Sequence, residues 1–430
     1  MAIFGALSTA RSGLVATGAA LSVIGNNIAN VNTVGFKGSR TEFSDLLSAQ
    51  GGGSAGKIGL GVRIGRISPS FAQGNIEATG RTTDLAIEGN GFFLIGTGDG
   101  NAYTRAGNFR LDQDGRLVTF QGLPVQGFAL NDLEQPVGAP VDVTVTGASS
   151  QPQATELVQI KANLRSDAEL IAGGFDGTSF DSAFTTSNFT TAINIFDSLG
   201  ARHTLTLLFT RTGVNTWDYN VGVDAGETGG TAGDLNLLGG GSLSFNTDGS
   251  LSAVNPDPPT VNVTFNGATA QTITFNFGTP NPGVVAGEGI DGITQFAGPS
   301  AVAFQDQNGV GAGQLLNLEF SETGVVTGIF DNGQTRPLFQ IALANFTAPD
   351  ALQPLGNGLF RETIDSGAPA IGVPDTGGLG NIVPGAVELS NVGIAQEFID
   401  LISTQRSFQA NARVITSSDA LLNDLINIVR

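Results

Sequence analysis

The sequence predicts a mainly β chain with a helix at each end, the two helices paired as a coiled coil and the β part nested between them. Three observations predict this. Both ends carry apolar residues at alternating spacings of four and three, the seam of a coiled coil. The interior alternates apolar and polar residues with period two, in short runs broken by turn dipeptides. Glycine, at 62 of 430 residues, is about twice its usual share and is dispersed, as many tight turns require.

The N-terminal seam reads Ile3, Leu7, Ala10, Leu14, Thr17, Leu21, Ile24, Ile28, Val31. Gly5, Gly13, Gly18 and Gly25 lie along it, each costing about 1 kcal/mol against alanine inside a helix. Such a helix is expected to order only against partners, with Ala6, Ala10, Ala16, Ala19 and Ala20 permitting close approach. The C-terminal seam reads Ile394, Phe398, Leu401, Gln405, Phe408, Ala412, Ile415, Asp419, Leu422, Ile426, Val429. Gln405 and Asp419 are polar residues of the kind that set register at a cost in stability. The plainer reading is two amphipathic helices packed on a globular core. The segment after Arg11, Gly13 to Ile24, also fits a signal-peptide core. The apolar Ile3, Phe4 and Leu7 before it, and the continuing seam, argue against that. No unbroken run of about 18 apolar residues marks a membrane span.

From about 58 to 360 the texture is that of strands. Leu111 to Leu117 reads as a hairpin turning at Asp114-Gly115, and Ile329 to Thr335 as one turning at Asn332-Gly333. Val261, Val263 and Phe265 alternate with polar residues, then Ile273, Phe275 and Phe277 after Asn266-Gly267. Ile193, Ile195, Leu205, Leu207, Trp217, Tyr219 and Val221 continue the pattern, with Trp217 and Tyr219 read as core. Glycine-rich stretches at 48–56 and 365–380 read as hinges. Pairing of the end helices makes the chain leave and return. The expected domains are 1–70 with 362–430, helical with linkers; 71–150 with 301–361, a β-rich middle; and 151–300, an inserted β-rich outer domain.

Composition removes several classes of function. Only 13% of residues are charged, the net charge is −19, and Lys37, Lys57 and Lys161 are the only lysines. That excludes a nucleic-acid footprint and argues against docking on an anionic membrane. There is no cysteine and one histidine, His203, so thiolate nucleophiles, Cys-ligated zinc and His clusters are excluded. Asp112-x-Asp114-Gly115 lacks the flanking acids of a calcium loop, since Arg110 and Gln121 stand in their places. Gly59, Gly61 and Gly65 miss the dinucleotide-binding spacing by one. His203 is expected on the polar face of a strand. Carboxylate pairs for glycoside hydrolysis stay open, with none singled out. No catalytic residue, metal or cofactor is expected.

Four motifs then resemble the bacterial flagellar rod and hook protein family. Asn26, Asn27, Ala29, Asn30, Thr33, Gly35, Phe36 and Lys37 match that family's signature at the end of its N-terminal helix. Thr79 to Phe93 resembles its middle-domain motif, and Tyr103 to Phe109 with Asp114-Gly115 the strand pair that follows. Ser390-Asn-Val, Glu397-Phe-Ile and Gln405 to Arg413 resemble its C-terminal helix. The long insert and the glycine stretch at 51–56 are similar to hook members rather than the shorter distal rod members, which remain the alternative. An extracellular β-rich adhesin or polysaccharide enzyme is a second one, which the terminal heptads do not explain.

The resemblance implies a structural subunit that polymerises with itself into a curved tube, a universal joint carrying torque from rod to filament. It implies contacts with the distal rod, the hook cap, the hook–filament junction protein and the flagellar type III export apparatus. It also implies a place in the hook outside the cell, reached without a cleaved signal peptide. The paired helices would line the inner tube, the middle domain the next shell and the insert the outer shell. Phe43 and Leu47 resemble the aromatic-x-x-x-apolar segment by which export substrates dock on the export gate.

Overall fold

The structure, a computed structural model, describes residues 2–47, 59–98, 100–131, 133–145, 147–283, 285 and 287–428; for 2–4, 47 and 423–428 only the backbone is described. It divides into two compact units, Met1–Ala148 with Asn317–Gly328 and Thr335–Arg430, and Ser149–Leu316 with Ile329–Gln334.

In the second unit, strands Phe189–Phe196, Arg202–Gly213, Thr216–Asp224, Leu235–Phe245 and Leu251–Asn255 form an antiparallel meander. A four-stranded sheet has the order Thr260–Val263, Gln271–Asn276, Leu157–Asn163, Ala301–Gln307, with Leu157–Asn163 parallel to Gln271–Asn276. The inward residues of both sheets share one core. Ile193, Ile195, Leu205, Leu207, Trp217, Tyr219, Val221, Val261, Val263, Phe265, Ile273, Phe275 and Phe277 are all buried, as the period-two reading expects. Tyr219 meets Phe277 edge-on at 5.0 Å, and burial pushes its hydroxyl up to about 12.

His203 corrects the sequence reading. It shares the inward parity of Leu205 and Leu207 and stacks on Phe265 with ring centroids 3.7 Å apart. Its Nδ1 lies 2.8 Å from Glu227 Oε2 and its Nε2 3.2 Å from Asp197 Oδ2. Polar partners at the strand end let a polar ring take a core-facing place.

In the first unit, the six-stranded order is Gln353–Gly356, Leu359–Arg361, Gly100–Thr104, Phe92–Thr97, Leu343–Asn345, Ala370–Gly372. Phe71, Phe92, Phe346 and Phe360 pack edge to face over it, with Tyr103 against Phe346 at 4.7 Å. The hairpin at Asp114-Gly115 forms as expected. Asp112 Oδ1 accepts from the Asp114 and Arg116 amides, and Arg116 Nε donates to Asp112 Oδ2 at 2.9 Å. Outgoing and returning chain pair directly: Ile76–Ala78 with Ala386–Glu388, and Leu85–Glu88 with Asn381–Pro384, both antiparallel.

Burial pushes the Asp197 carboxyl up, but hydrogen bonds from His203 and the Ala201 and Leu199 amides outweigh it and hold it below 3.8. A depressed carboxylate stabilises the fold above its unfolded pKa, and that stabilisation is lost as pH falls through the folded value. Trp217, the single tryptophan, is fully buried in the second unit and reports its unfolding. Asp197→Asn should destabilise that unit at neutral pH and flatten the loss of stability below about pH 4. Fluorescence melts along an acid series check this.

Candidate assembly site

The N-terminal helix spans Ala2–Ala29 and the C-terminal helix Ile394–Ile428. They pack against each other antiparallel: Gly13 lies beside Asn411, Gly18 near Phe408, and Asn27 beside Glu397. The N-terminal helix also packs on a hairpin of β1 (Ser39–Leu47) and β2 (Gly59–Pro69). Its residues 5–29 are long and apolar enough to cross a membrane, which the lack of an unbroken apolar run did not reveal. Here they form the packed helix.

The centre of the packed face is made of small residues. Ala10, Gly13, Ala16 and Ala20 are buried, while Leu7, Leu14, Thr17, Leu21, Ile24 and Ile28 flank them half-buried. A Cβ at Gly13 would stand 2.7 Å from Asn411 Nδ2, so glycine is what leaves the Asn411 amide its place against this helix. Val31 lies in the turn beyond the helix rather than on it, because the chain bends at Asn30. The side chain of Ile3 lies outside the described residues.

Along the C-terminal helix Leu401, Ala412, Ile415 and Leu422 are half-buried, and the buried polar contact is Ser418. Gln405 and Asp419 face solvent. Ile394, Phe398 and Phe408 are exposed too, as are Ile399, Ile402, Val414 and Leu421, the last 57% exposed. The side chain of Ile426 and all of Val429 lie outside the described residues. Phe43, half exposed, pairs with Ile64 within the hairpin, and Leu47 ends β1.

The signature residues build the base of this helix pair. Asn30 Nδ2 donates to the Asn26 carbonyl at 2.9 Å and to Asn26 Oδ1, and Thr33 Oγ1 donates to Asn30 Oδ1. Ala29 is the last helical residue. Buried Asn27 exchanges two hydrogen bonds with the Ser39 backbone, and its Nδ2 also reaches Glu397 Oε1 at 3.2 Å. Gly35 has φ +67, and a Cβ there would stand 2.4 Å from the Ala106 nitrogen. Half-buried Phe36 follows it and leads into Lys37.

Lys37 Nζ donates to Glu388 Oε1 at 2.7 Å and to the Ala72 carbonyl, with both charged side chains shielded from solvent. Arg105 Nη1 approaches Glu388 Oε2 at 3.4 Å, and its Nη2 donates to the Gly89 carbonyl. The Gly74 amide also donates to Glu388 Oε1, and the Gly35 amide to the Glu388 carbonyl. Burial pulls the Lys37 ammonium and the Arg105 guanidinium below their ordinary values, against the support of Glu388. Asn391 closes the knot: it accepts from the Gly38 amide and donates to the Ser70 and Ala72 carbonyls. Glu388 carries no sequence signal of its own. A hint was available in Lys37, a rare lysine inside an apolar signature that needs a buried counter-ion.

Models of flagellar protein domains match four segments: the flagella basal body rod protein over 7–37, the flagellar hook protein FlgE/F/G D1 domain over 86–164, the flagellar basal body protein FlaE D2 domain over 163–310, and the C-terminal part of flagellar basal body rod FlgEFG proteins over 383–428. The flagellar hook protein FlgE of Borreliella burgdorferi is 34% identical, over 95% of this chain and 96% of that one. This chain belongs to the flagellar hook protein family. The hook protein FlgE of Escherichia coli K12 is 32% identical over 98% and 100% of the two chains. The solved hook protein FlgE2 of Helicobacter pylori, at 16% identity and TM-score 0.42 over 71% of this chain and 98% of that one, is too distant to add to the assignment. The hook family is one of structural, non-enzymatic subunits of a self-polymerising flagellar component.

Removing one partner of a buried ion pair leaves an unpaired buried charge and costs about 3–5 kcal/mol. Glu388→Ala strands two cations. Calorimetry should show the first unit melting lower by an amount of that order, while the Trp217 fluorescence transition stays in place. Glu388→Gln, which keeps hydrogen-bond acceptance, should cost less.

Proposed function

We propose that this chain assembles, through its paired end helices, into the curved tube of the flagellar hook and works there as a universal joint between rod and filament. The observation that carries the reading is the C-terminal helix. With the N-terminal helix already packed on it, Phe398, Ile399, Ile402, Val414 and Leu421 still face solvent on one helix. Large apolar side chains left exposed in this number on one helix mark an interaction site, and a homopolymer supplies further copies to cover them. The seam residues of both helices are assigned to that contact. A rigid apolar inner layer suits a structure that must hold while it turns. The charge-poor Asn, Thr and Gly surface of the β part suits contacts that exchange hydrogen bonds through water as the tube bends.

The three-part division into 1–70 with 362–430, 71–150 with 301–361, and 151–300 belongs to this reading. The separate domain-model matches at 86–164 and 163–310 support it. The further assignments belong to the same reading: distal rod, hook cap, hook–filament junction protein and export apparatus as partners, Phe43 and Leu47 as the export-gate segment, and export without a cleaved signal peptide. Their support is the family membership and the signature residues.

The double substitution Phe398→Asp with Ile402→Asp tests the reading. Both side chains are about half exposed in the single chain, so the free subunit should melt normally. Each buried carboxylate in the polymer would cost about 2–4 kcal/mol, raising the critical concentration for assembly roughly 30- to 1,000-fold. Sedimentation and electron microscopy read the outcome. Normal tubes at normal concentration would remove this helix face from the polymer contact.

A further inference from the structure

The β1–β2 hairpin concentrates positive charge in an acidic chain. Residues 1–70 carry six basic and two acidic side chains, whereas 71–430 carry thirteen basic and 36 acidic ones. Regular alternation along β1 puts Arg40, Glu42 and Ser44 on one face, and their partners Ser68, Arg66 and Arg63 share it. Arg63 and Arg66 are three residues apart, so an unbroken strand would point them to opposite faces. The register shift at the Glu42–Phe43 step leaves Gly65 as an extra residue on β2, and this bulge turns Arg63 to the Arg66 side. A Cβ at Gly65 would stand 2.6 Å from Ser44 Oγ, so a side chain at the bulge would have to displace that hydroxyl.

Arg40, Arg63 and Arg66 are all exposed. Among the described residues, the one carboxylate in ion-pair range of the three is Glu42, 3.7 Å from Arg66. The opposite face carries Phe43, Ile64 and Ile67, with Thr41 and Asp45 beside them. We propose that the arginine face of the hairpin docks on an acidic surface of a second copy of this chain, clasping neighbouring subunits together. The inference rests on the self-assembly reading. The occupant follows from charge complementarity: beyond residue 70 a second copy presents nearly three acidic side chains for every basic one, and in a homopolymer that surface stands beside every hairpin. Exposed ion pairs are individually weak and screened by salt. The clasp therefore sets register and yields under load, while the helices hold the polymer.

The test uses the full chain assembled at about 50 and about 500 mM NaCl, where screening differs severalfold in range. The wild-type critical concentration should rise with salt. Arg40→Glu, Arg63→Glu and Arg66→Glu together should raise it about tenfold or more at low salt and reverse the salt dependence, because the new repulsion from the acidic partner surface is screened as salt rises, with unchanged melting of the free subunit. An Arg63→Lys variant, assembled from a mixture of isotope-labelled and unlabelled subunits and treated with a zero-length carbodiimide, should link its new amine to carboxylates of the other isotope. Assembly of the triple variant at wild-type concentration and salt response overturns the proposal, as do cross-links confined to one isotope. It is overturned equally if the triple variant assembles normally and instead loses binding to phosphatidylserine vesicles. Failure of the wild-type chain to polymerise under any condition would strike the self-assembly reading instead.

Discussion

One buried carboxylate ties the first unit together. Glu388 meets Lys37, Arg105 and the Gly74 amide through its side chain and Gly35 through its carbonyl. Three other stretches of chain, far apart in sequence, converge on it. A buried charge stabilises only when fully partnered, and loss of any partner is costly. The turn after the first helix, the strand from Ile76 and the approach to the last helix are therefore coupled through this one carboxylate. The helix pair inherits its geometry from this point, since Asn27, Ser39 and Glu397 join the two helices just above it.

The contact between the helices explains why so much apolar surface stays outward. Small residues at Ala10, Gly13, Ala16 and Ala20 bring two backbones close, which buries little area per residue. Larger apolar side chains flank the contact or face away. A helix with this many glycines has weak intrinsic propensity, so its order depends on neighbours. Within one chain those neighbours are the C-terminal helix and the hairpin, and the uncovered residues call for more.

Much of the β part was legible because each strand announces itself locally. Val261, Val263 and Phe265, or Trp217, Tyr219 and Val221, alternate with polar residues and land inward. The end helices were legible from their heptads, but not the centre of their contact. The alanines were read as permitting close approach, but the heptad register put leucines in the seam, whereas the packed face centres on Ala10, Gly13, Ala16 and Ala20 and leaves the leucines half-buried at its flanks. His203 was misplaced because a histidine among threonines reads as polar surface until Asp197, Glu227 and Phe265 are brought around it. Glu388 was invisible for a related reason: its partner Lys37 lies 351 residues away, and no local period encodes that distance. The signature at Asn26 to Lys37 drew attention to one end of the pair only.

The strand pairs joining the outgoing and returning chain have a mechanical meaning. Ile76–Ala78 runs antiparallel to Ala386–Glu388, and Leu85–Glu88 to Asn381–Pro384. Both plies leave the helical end at the same side of each ladder and reach the β sheet at the other. Tension along them is carried by two covalent backbones side by side, and the ladder hydrogen bonds serve to share the load between plies. A sideways twist peels the plies apart and meets only a few hydrogen bonds of resistance. The link behaves as a two-stranded cord, stiff when pulled and compliant when wrung.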